Sequence, residues 1–194
     1  MGGTPMNKHR LNPSINPAED LWVFAYGSLM WDPGFTFETS ETALLHGYHR
    51  AFRLFSYRYR GSAQAPGLVL GLDLGGACRG IAYRVAGKDT PAAMDYLLQR
   101  EMTGDVYHCR RLAVRIGKHM VRALGFVINR GHAHYTGRLS DGDTAKFIRQ
   151  GCGERGSSLA YFENTLRHLD ELGIRDDNLH RLRSLIDPVE GLKD

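Results

Sequence analysis

Apolar residues follow two patterns along the chain, short strand-like runs that come first and helix-like stripes that come later. Many of the runs are rich in β-branched or aromatic residues and bounded by glycine, which is typical of β-strands. They predict strands at 22–25, 51–57, 67–74, 78–85, 110–116 and 120–127. Helical spacing predicts helices at 91–102, 143–150, 157–171 and 176–186. Because the helices come in a late run and do not alternate with each strand, the order favours an α+β fold over a doubly wound sheet.

Glu101 lies where the first predicted helix should carry an apolar core residue. A capping side chain at Asp89 and a proline, Pro91, mark the start of this helix. Its apolar face then consists of Met94, Leu97 and Leu98. Glu101 is the next position on that face, and Gly104 ends the helix. The spacing therefore places a carboxyl group against the protein core.

That position allows two interpretations of Glu101. An acid on an apolar face loses solvation, which raises its pKa toward the range that is useful for proton transfer. Alternatively, Glu101 is the acid of a structural ion pair at the edge of the core. Its candidate partners there are Arg100, Arg110 and Arg111.

The first strand-like run ends in a glycine-containing turn. The candidate binding segment formed by the run and its turn comprises Val23, Phe24, Ala25, Tyr26, Gly27, Ser28 and Leu29. Gly27 lets the backbone turn sharply and approach a ligand, with N–H groups that no strand ladder occupies. Ser28 lacks the Gly-x-Ser-x-Gly spacing of a nucleophile elbow, so its hydroxyl is expected to bond within the turn or to a ligand.

Six short motifs, distributed in order along nearly the whole chain, resemble those of the ChaC family of γ-glutamylcyclotransferases. They are Tyr26-Gly27-Ser28-Leu29, Met30-Trp31-Asp32-Pro33-Gly34-Phe35, Gly47-Tyr48-His49-Arg50-Ala51-Phe52, Pro66-Gly67-Leu68-Val69-Leu70-Gly71-Leu72-Asp73, Arg100-Glu101-Met102 and Leu172-Gly173-Ile174-Arg175-Asp176. The resemblance implies a compact α+β fold built on a small mixed β-barrel with flanking helices, in which the loop and the glutamate face one cavity. It also implies cleavage of glutathione to 5-oxoproline and cysteinylglycine.

That reaction requires no catalytic metal or cofactor, because the substrate supplies its own nucleophile. The free α-amine reaches the γ-carbonyl through a five-membered ring, and such proximity can contribute about 7–11 kcal/mol. The amine is mostly protonated at neutral pH, since its pKa is about 8. A base must remove a proton and the leaving amine must regain one, and we assign both steps to Glu101. N–H groups around Gly27 would hold the α-carboxylate or the developing oxyanion.

Two tyrosines join the candidate site through the resemblance. Tyr107 and Tyr161 would line the pocket, Tyr161 within Ala160-Tyr161-Phe162. Alanine at 160 and phenylalanine at 162 replace the acid and the leucine of the family's Glu-Tyr-Leu-like segment. The alternative for both tyrosines is ordinary amphipathic packing with the hydroxyl at the surface.

Two further motifs do not carry a function. The run Gly151-Cys152-Gly153-Glu154-Arg155-Gly156 spells the dinucleotide pattern Gly-x-Gly-x-x-Gly, but it follows a predicted helix where a strand is required. His132 and His134 could share one face of a strand, yet no third metal ligand lies nearby in the sequence. We therefore expect neither a nucleotide site nor a metal site.

Composition limits the functions and cellular locations that this protein can have. The formal net charge is +4 and the isoelectric point is near 9.0, with basic and acidic residues interleaved, which disfavours nucleic-acid binding. Three widely spaced cysteines favour a reducing compartment, and no apolar stretch is long enough to span a membrane. We expect a cytoplasmic protein with one domain over 19–194, preceded by a disordered or expression-derived lead over 1–18 and without a signal peptide.

Two other functions stay compatible with the sequence. The protein could be a cyclotransferase for another γ-glutamyl amine or dipeptide, because nothing in the sequence fixes the leaving group. It could also be a non-catalytic protein that senses a γ-glutamyl metabolite or contacts a partner in the same cavity. Retention of a costly buried acid at Glu101 argues against the second function.

Overall fold

The computed structural model describes residues 16 and 18–186, so the expected lead at 1–18 lies almost wholly outside the described residues. The described part contains a barrel of five strands, a small hairpin and four α-helices. The barrel strands are β1 Leu21–Ala25, β2 Thr39–Ser56, β3 Gly67–Val85, β4 Tyr107–Ile116 and β5 His119–Ile128, and the hairpin strands are β6 Cys152–Gly153 and β7 Gly156–Ser157. The helices are α1 Thr90–Glu101, α2 Asp141–Gln150, α3 Ser158–Glu171 and α4 Asp177–Ile186.

The barrel is closed and mixed, as the resemblance implied. Its strand order is β1-β3-β2-β4-β5, and the neighbouring pairs β1–β3, β2–β3, β2–β4 and β4–β5 are antiparallel. Strand β5 closes the barrel through parallel pairing with β1, at Trp22↔Ala123 and Val23↔Leu124, and with β3, at Leu72↔Val127. Each barrel strand therefore has a paired neighbour on both sides over at least part of its length.

Strands β2 and β3 are longer than the apolar pattern predicted. The predicted strand 51–57 is the end of Thr39–Ser56, whose first half is largely solvent-exposed and therefore carries no apolar signal. The two strands predicted at 67–74 and 78–85 are one continuous strand. Gly75 and Gly76, with φ of 98° and 69°, form a bulge opposite β2, so the pairing shifts register and continues.

Alternate residues of β1 pack into different parts of the core, as the strand period requires. Val23 and Ala25 belong to the cluster that includes the buried helix residues Leu97 and Phe162. Phe24 points to the other side and belongs to a cluster inside the barrel. All three β1 residues are fully buried. The strand therefore fixes the position of the loop that follows it.

Helix α1 begins differently from the prediction. The side chain of Asp89 caps no N–H group, and the hydroxyl of Thr90 instead donates to the carbonyl oxygens of Ala86 and Glu19. The helix ends at Glu101, before Gly104, which has a φ of 85° in the following turn. Glu101 thus lies at the C-terminal end of α1, where the chain turns toward β4.

Candidate active site

The loop after β1, the end of α1 and the predicted tyrosines meet at one small cavity, hereafter the inner cavity. Its lining residues are Tyr26, Gly27, Ser28, Leu29, Leu70, Glu101, Tyr107, Phe126 and Tyr161. These residues come from the β1 loop, β3, the end of α1, β4, β5 and α3. The cavity volume is about 40 Å³. A site assembled from six separate segments requires the closed barrel to bring them together.

Glu101 is a mostly buried carboxyl group on the wall of the inner cavity, with 17% of its side chain exposed. Burial raises the pKa of this carboxyl, and the positive charge of Arg100 partly offsets the effect. The Arg100 Nε atom lies 3.4 Å from Glu101 Oε1. Within the described part of the chain, Arg110 and Arg111 form no ion pair with Glu101. The two interpretations from the sequence therefore coexist, because the desolvated acid also has one cationic neighbour.

Arg100 connects the end of α1 to the β1 loop. Its Nη2 group donates to Ser28 Oγ at 3.0 Å, and its Nη1 group donates to the Asp32 carbonyl oxygen at 2.9 Å and to the Tyr96 hydroxyl at 2.6 Å. The sequence presented Arg100 only as a possible partner of Glu101. Its role in holding the loop depends on the fold. The only feature of the sequence that pointed to Arg100 was its position next to Glu101.

The β1 loop, whose residues line the inner cavity, has free backbone donors. No acceptor among the described residues receives the N–H groups of Gly27, Ser28 or Leu29, while the Gly27 carbonyl accepts from Met30 N at 2.8 Å. A Cβ atom placed on Gly27 would lie 3.7 Å from the Tyr161 hydroxyl oxygen, on the cavity side. Glycine therefore keeps this wall open, and free N–H groups of this kind are suited to an anionic oxygen.

A buried arginine fixes the start of this loop. Arg50 is 2% exposed, and its Nε donates to the Tyr26 carbonyl oxygen. Its Nη1 donates to Asp176 Oδ2 at 2.8 Å and its Nη2 to the Arg79 carbonyl oxygen at 2.6 Å. The sequence alone did not indicate Arg50 as a site residue. Arg50 lies two residues before the buried residue Phe52, so on a strand both side chains point to the same face. This indication of burial was missed because no strand was predicted over 39–50.

The tyrosine hydroxyls point inward, contrary to the surface-packing alternative. The Tyr107 hydroxyl donates to the Leu70 carbonyl oxygen at 2.7 Å. The ring of Tyr161 packs edge-on against Phe52, with centroids 5.8 Å apart. Burial raises the pKa of Tyr161 to about 12, and the nearby Glu101 charge adds to the shift. The pKa values of Tyr26 and Tyr107 are raised well above the usual range for the same reasons. All three hydroxyls therefore stay protonated at neutral pH.

Three residues of the predicted binding segment do not line the cavity. Val23, Phe24 and Ala25 are fully buried in β1 and pack in the core. Leu70 and Phe126 line the cavity in addition to the predicted residues. Both come from long apolar strands in which nothing marks one residue as different from its neighbours.

The glycine-rich run at 151–156 and the pair His132 and His134 have structural roles. A Cβ atom on Gly151 or Gly153 would lie 2.2 or 2.3 Å from the backbone of the 58–67 segment, so these glycines permit close packing. His132 and His134 pack against each other, with ring centroids 4.7 Å apart. In the described ranges, no group of three or more His, Cys, Asp or Glu side chains is placed to hold a metal ion.

A larger cavity, hereafter the outer cavity, adjoins the inner cavity through Tyr161. Its volume is about 800 Å³, and it is lined by Arg60, Ala160, Tyr161, Glu163, Asn164, Arg167, Asp170, Glu171 and Arg183. The Arg60 guanidinium lies 5.0 Å from the Tyr161 ring centroid and donates to the Arg155 carbonyl oxygen. No carboxylate in the described part of the chain pairs with Arg60. The outer cavity thus offers an uncompensated, half-buried positive charge beside Tyr161.

Comparison with known proteins identifies the family to which this chain is similar. A family profile described as ChaC-like protein matches residues 21–189. The glutathione-specific gamma-glutamylcyclotransferase of Escherichia coli K12 is 34% identical over 165 residues, which cover 84% of this chain and 71% of that protein. The glutathione-specific gamma-glutamylcyclotransferase 1 of Homo sapiens is 29% identical over 197 residues, which cover 96% of this chain and 88% of that protein.

The fold agrees with solved structures. The crystal structure of a gamma-glutamyl cyclotransferase specific to glutathione from yeast aligns with a TM-score of 0.77 at 20% sequence identity. The alignment covers 89% of this chain and all of the yeast chain. At this identity the likeness shows a common fold.

Proposed function

Because the chain belongs to the ChaC-like protein family, we propose that it is a γ-glutamylcyclotransferase that cleaves glutathione to 5-oxoproline and cysteinylglycine. The names of the bacterial and animal relatives support glutathione as the substrate. Within the chain, one observation carries the proposal: the desolvated carboxyl of Glu101 shares the inner cavity with the free N–H groups of the β1 loop. A proton acceptor and an anion cradle are the two parts that this chemistry needs.

The reaction requires one bond to form and one to break at the γ-carbon. The α-amine nitrogen attacks the γ-carbonyl carbon, which closes a five-membered lactam, and the bond from that carbon to the cysteine nitrogen breaks. The ammonium form of the α-amine first releases one proton to solvent, and the neutral amine is the nucleophile. Ionised Glu101 accepts the second proton, which this nitrogen loses on ring closure, and then donates it to the departing cysteine nitrogen. The proton balance is closed, so a single carboxyl group suffices for both transfers. A raised pKa brings Glu101 closer to the pKa of the amine, which makes both transfers easier.

The walls of the inner cavity would position the folded substrate. The N–H groups of Gly27, Ser28 and Leu29 supply donors for an anionic oxygen, either the α-carboxylate or the oxyanion that forms during attack. Hydrogen bonds from protonated Tyr26, Tyr107 and Tyr161 are available in the same space, because their raised pKa values keep the hydroxyl protons in place. We propose Tyr107 and Tyr161 as substrate-binding residues on this basis. Val23, Phe24 and Ala25 contribute by fixing the loop.

The inner cavity is too small for a whole tripeptide, since pockets for ligands of that size have volumes of roughly 300–1,000 Å³. At about 40 Å³ it accommodates only part of the γ-glutamyl group as it stands. The remainder of the substrate would extend past Tyr161 into the outer cavity. Arg60 lies there without a carboxylate partner among the described side chains, so it is suited to bind the glycine carboxylate of glutathione.

The site of action in the cell follows from the same proposal. We propose that the protein acts in the cytoplasm, where reduced glutathione keeps protein thiols free. The cysteines Cys78, Cys109 and Cys152 are all free thiols in the structure. In the described part of the chain no helix is both long and apolar enough to cross a membrane.

Product analysis tests the proposed function. Purified protein is incubated with glutathione, and in parallel with γ-glutamylcysteine and a γ-glutamyl amine, and the products are followed by mass spectrometry. We expect 5-oxoproline and cysteinylglycine from glutathione, at a higher kcat/KM than for the other substrates. If only the γ-glutamyl amine were converted, that amine and not glutathione would be the substrate. Tight glutathione binding without any product would instead support the non-catalytic function.

A further inference from the structure

A third cavity, hereafter the arginine cavity, lies apart from Glu101 and is unusually rich in guanidinium groups. Its volume is about 510 Å³, which falls within the range of roughly 300–1,000 Å³ for small-molecule sites. Its walls come from β2, the bulge in β3, the 130–139 segment and the first turns of α2 and α4. Five arginines line it: Arg50, Arg53, Arg130, Arg138 and Arg181.

The charges of these arginines are only partly neutralised. Arg50 pairs with Asp176, and Arg181 pairs with Asp141 at 2.7 Å. Arg53 and Arg130 share one carboxylate, Asp73, whose side chain is fully buried. Arg138 is exposed, and no carboxylate in the described ranges pairs with it. Three carboxylates therefore face five guanidinium groups, so two positive charges remain on the wall.

The shared carboxylate is committed to its present partners. Asp73 Oδ1 accepts from Arg130 Nε at 2.7 Å and from the Leu74 N–H at 2.9 Å, and Asp73 Oδ2 accepts from Arg53 Nη1 and the Tyr135 hydroxyl. Burial alone would raise the pKa of Asp73, but these four donors lower it to about 2. Asp73 is ionised at any physiological pH and holds both guanidinium groups in place.

The two arginines on Asp73 keep donors for a ligand. The Nε and Nη2 groups of Arg53 have no hydrogen-bond acceptor among the residues that the structure describes, and Arg130 has more N–H donors than its bonds to Asp73 and the Tyr135 side chain use. Arg130 is further oriented by Tyr135, whose ring centroid is 5.5 Å from its Cζ atom. A guanidinium group that is already fixed loses little conformational entropy when it binds an oxyanion, and its planar fork matches phosphate and carboxylate geometry.

We propose that the arginine cavity binds a small anion carrying at least two negative charges, held by Arg53, Arg130 and Arg138. The charge of such a ligand matches the two uncompensated positive charges of the wall. Phosphate and carboxylate groups share this chemistry, and a doubly anionic head of either kind satisfies the same donors. The site is distinct from the inner cavity, since the two have no lining residue in common.

Calorimetric titration at constant ionic strength, in a buffer free of phosphate, tests this proposal. The probes are inorganic pyrophosphate and succinate, and the proteins are the wild type, the double variant Arg130→Gln/Arg138→Gln and the control Lys88→Gln. Lys88 is exposed, lies after β3 and does not line the cavity, so its variant loses one charge at a remote position. Circular dichroism and thermal unfolding confirm that each variant is folded, and the exposure of Arg138 also allows its single variant to be tested.

We expect one equivalent of a probe to bind the wild type, and the double variant to weaken that binding about tenfold or more. The control should bind as the wild type does. Preference for pyrophosphate would identify a phosphate ligand, and preference for succinate a dicarboxylate. Three results would overturn the proposal: no binding of either probe at millimolar concentration, binding that the double variant leaves unchanged, or displacement of the probe by glutathione, which would make this cavity part of the substrate site.

Discussion

Arg100 donates a hydrogen bond to Ser28 Oγ at 3.0 Å while its Nε lies 3.4 Å from the Glu101 carboxylate. One guanidinium group therefore holds the β1 loop against the end of α1 and also sets part of the electrostatic environment of the proposed base. The free N–H groups of the loop and the carboxyl group keep a fixed separation because both are tied to the same side chain. Preorganisation of this kind is what an intramolecular cyclisation requires of its enzyme.

Replacement of Arg100 should separate its two effects. In Arg100→Gln the pKa of Glu101 rises further, since the positive charge that opposes the effect of burial is gone. The acid limb of the pH dependence of kcat/KM should therefore move to higher pH, and kcat/KM on the plateau should fall about tenfold or more because the loop is released. Arg100→Lys keeps the positive charge but loses the planar guanidinium group that holds the loop. It should therefore lower kcat/KM on the plateau, with a smaller shift of the acid limb. An unshifted limb in Arg100→Gln would contradict the assignment of that limb to Glu101.

Gly27→Ala should reduce activity without unfolding the protein. The added Cβ would lie 3.7 Å from the Tyr161 hydroxyl oxygen and 3.8 Å from Leu70 Cδ1, which are ordinary contacts. The methyl group nevertheless occupies a cavity of about 40 Å³, so it displaces the substrate from its reactive position. We expect kcat/KM to fall about 100-fold, with thermal unfolding close to that of the wild type. Gly142→Ala, in the exposed first turn of α2, is the control and should retain wild-type kinetics. Wild-type activity in Gly27→Ala would place the substrate elsewhere.

Burial of Glu101 should have a measurable cost in stability. The folded-state pKa of this carboxyl is raised above its ordinary value of 4.5, so the native state holds the proton more tightly than the unfolded state does. The ionised carboxylate then destabilises the fold above its folded pKa, and this cost disappears as the pH falls toward 4.5.

Glu101→Gln should therefore unfold at a higher temperature than the wild type near neutral pH, and the difference should shrink as the pH is lowered. Thermal unfolding monitored by circular dichroism across this pH range measures the effect. Glu41→Gln, on an exposed part of β2, is the matched control and should show no such convergence. A Glu101→Gln variant that is less stable than the wild type at neutral pH would mean that the pairing with Arg100 outweighs the cost of burial.

Arg60 should contribute to recognition of the far end of glutathione. Arg60→Gln removes the unpaired charge in the outer cavity, so KM for glutathione should rise about tenfold with a smaller change in kcat. A γ-glutamyl amine without a second carboxylate should be affected much less. Arg167→Gln is the control, because Arg167 lines the same cavity but already pairs with Glu171. Equal losses for both substrates would assign Arg60 a structural role.

The parts of the site that the sequence predicts are those with a local signal. Helical period alone places Glu101 on the buried face that includes Leu97, and the glycine after β1 marks the loop. The α+β class and the mixed barrel are confirmed, the barrel through the family resemblance. The position of Glu101 and the turn at Gly27 each depend on residues that are close together in the chain.

The parts that the sequence does not predict depend on long-range pairing. Arg50 is buried beside Tyr26 only because β2 extends back to Thr39, through a stretch too polar to be recognised as a strand. The bulge at Gly75 and Gly76 looks like a strand end until the partner strand is known. Leu70 and Phe126 become cavity residues only when the barrel closes. Periodicity reports which face of an element is buried, and it carries no information about which elements meet there.

The most direct test of the central claim compares wild-type protein with Glu101→Gln, using glutathione as substrate. Binding of glutathione is measured by calorimetry under conditions of slow turnover, and 5-oxoproline formation is measured by mass spectrometry on the same samples. The proposed mechanism predicts that the variant binds glutathione with nearly wild-type affinity but forms product about 1,000-fold more slowly or worse, since it can neither accept nor donate the proton. Near-wild-type turnover by Glu101→Gln would contradict the assignment of Glu101 as the general base and acid.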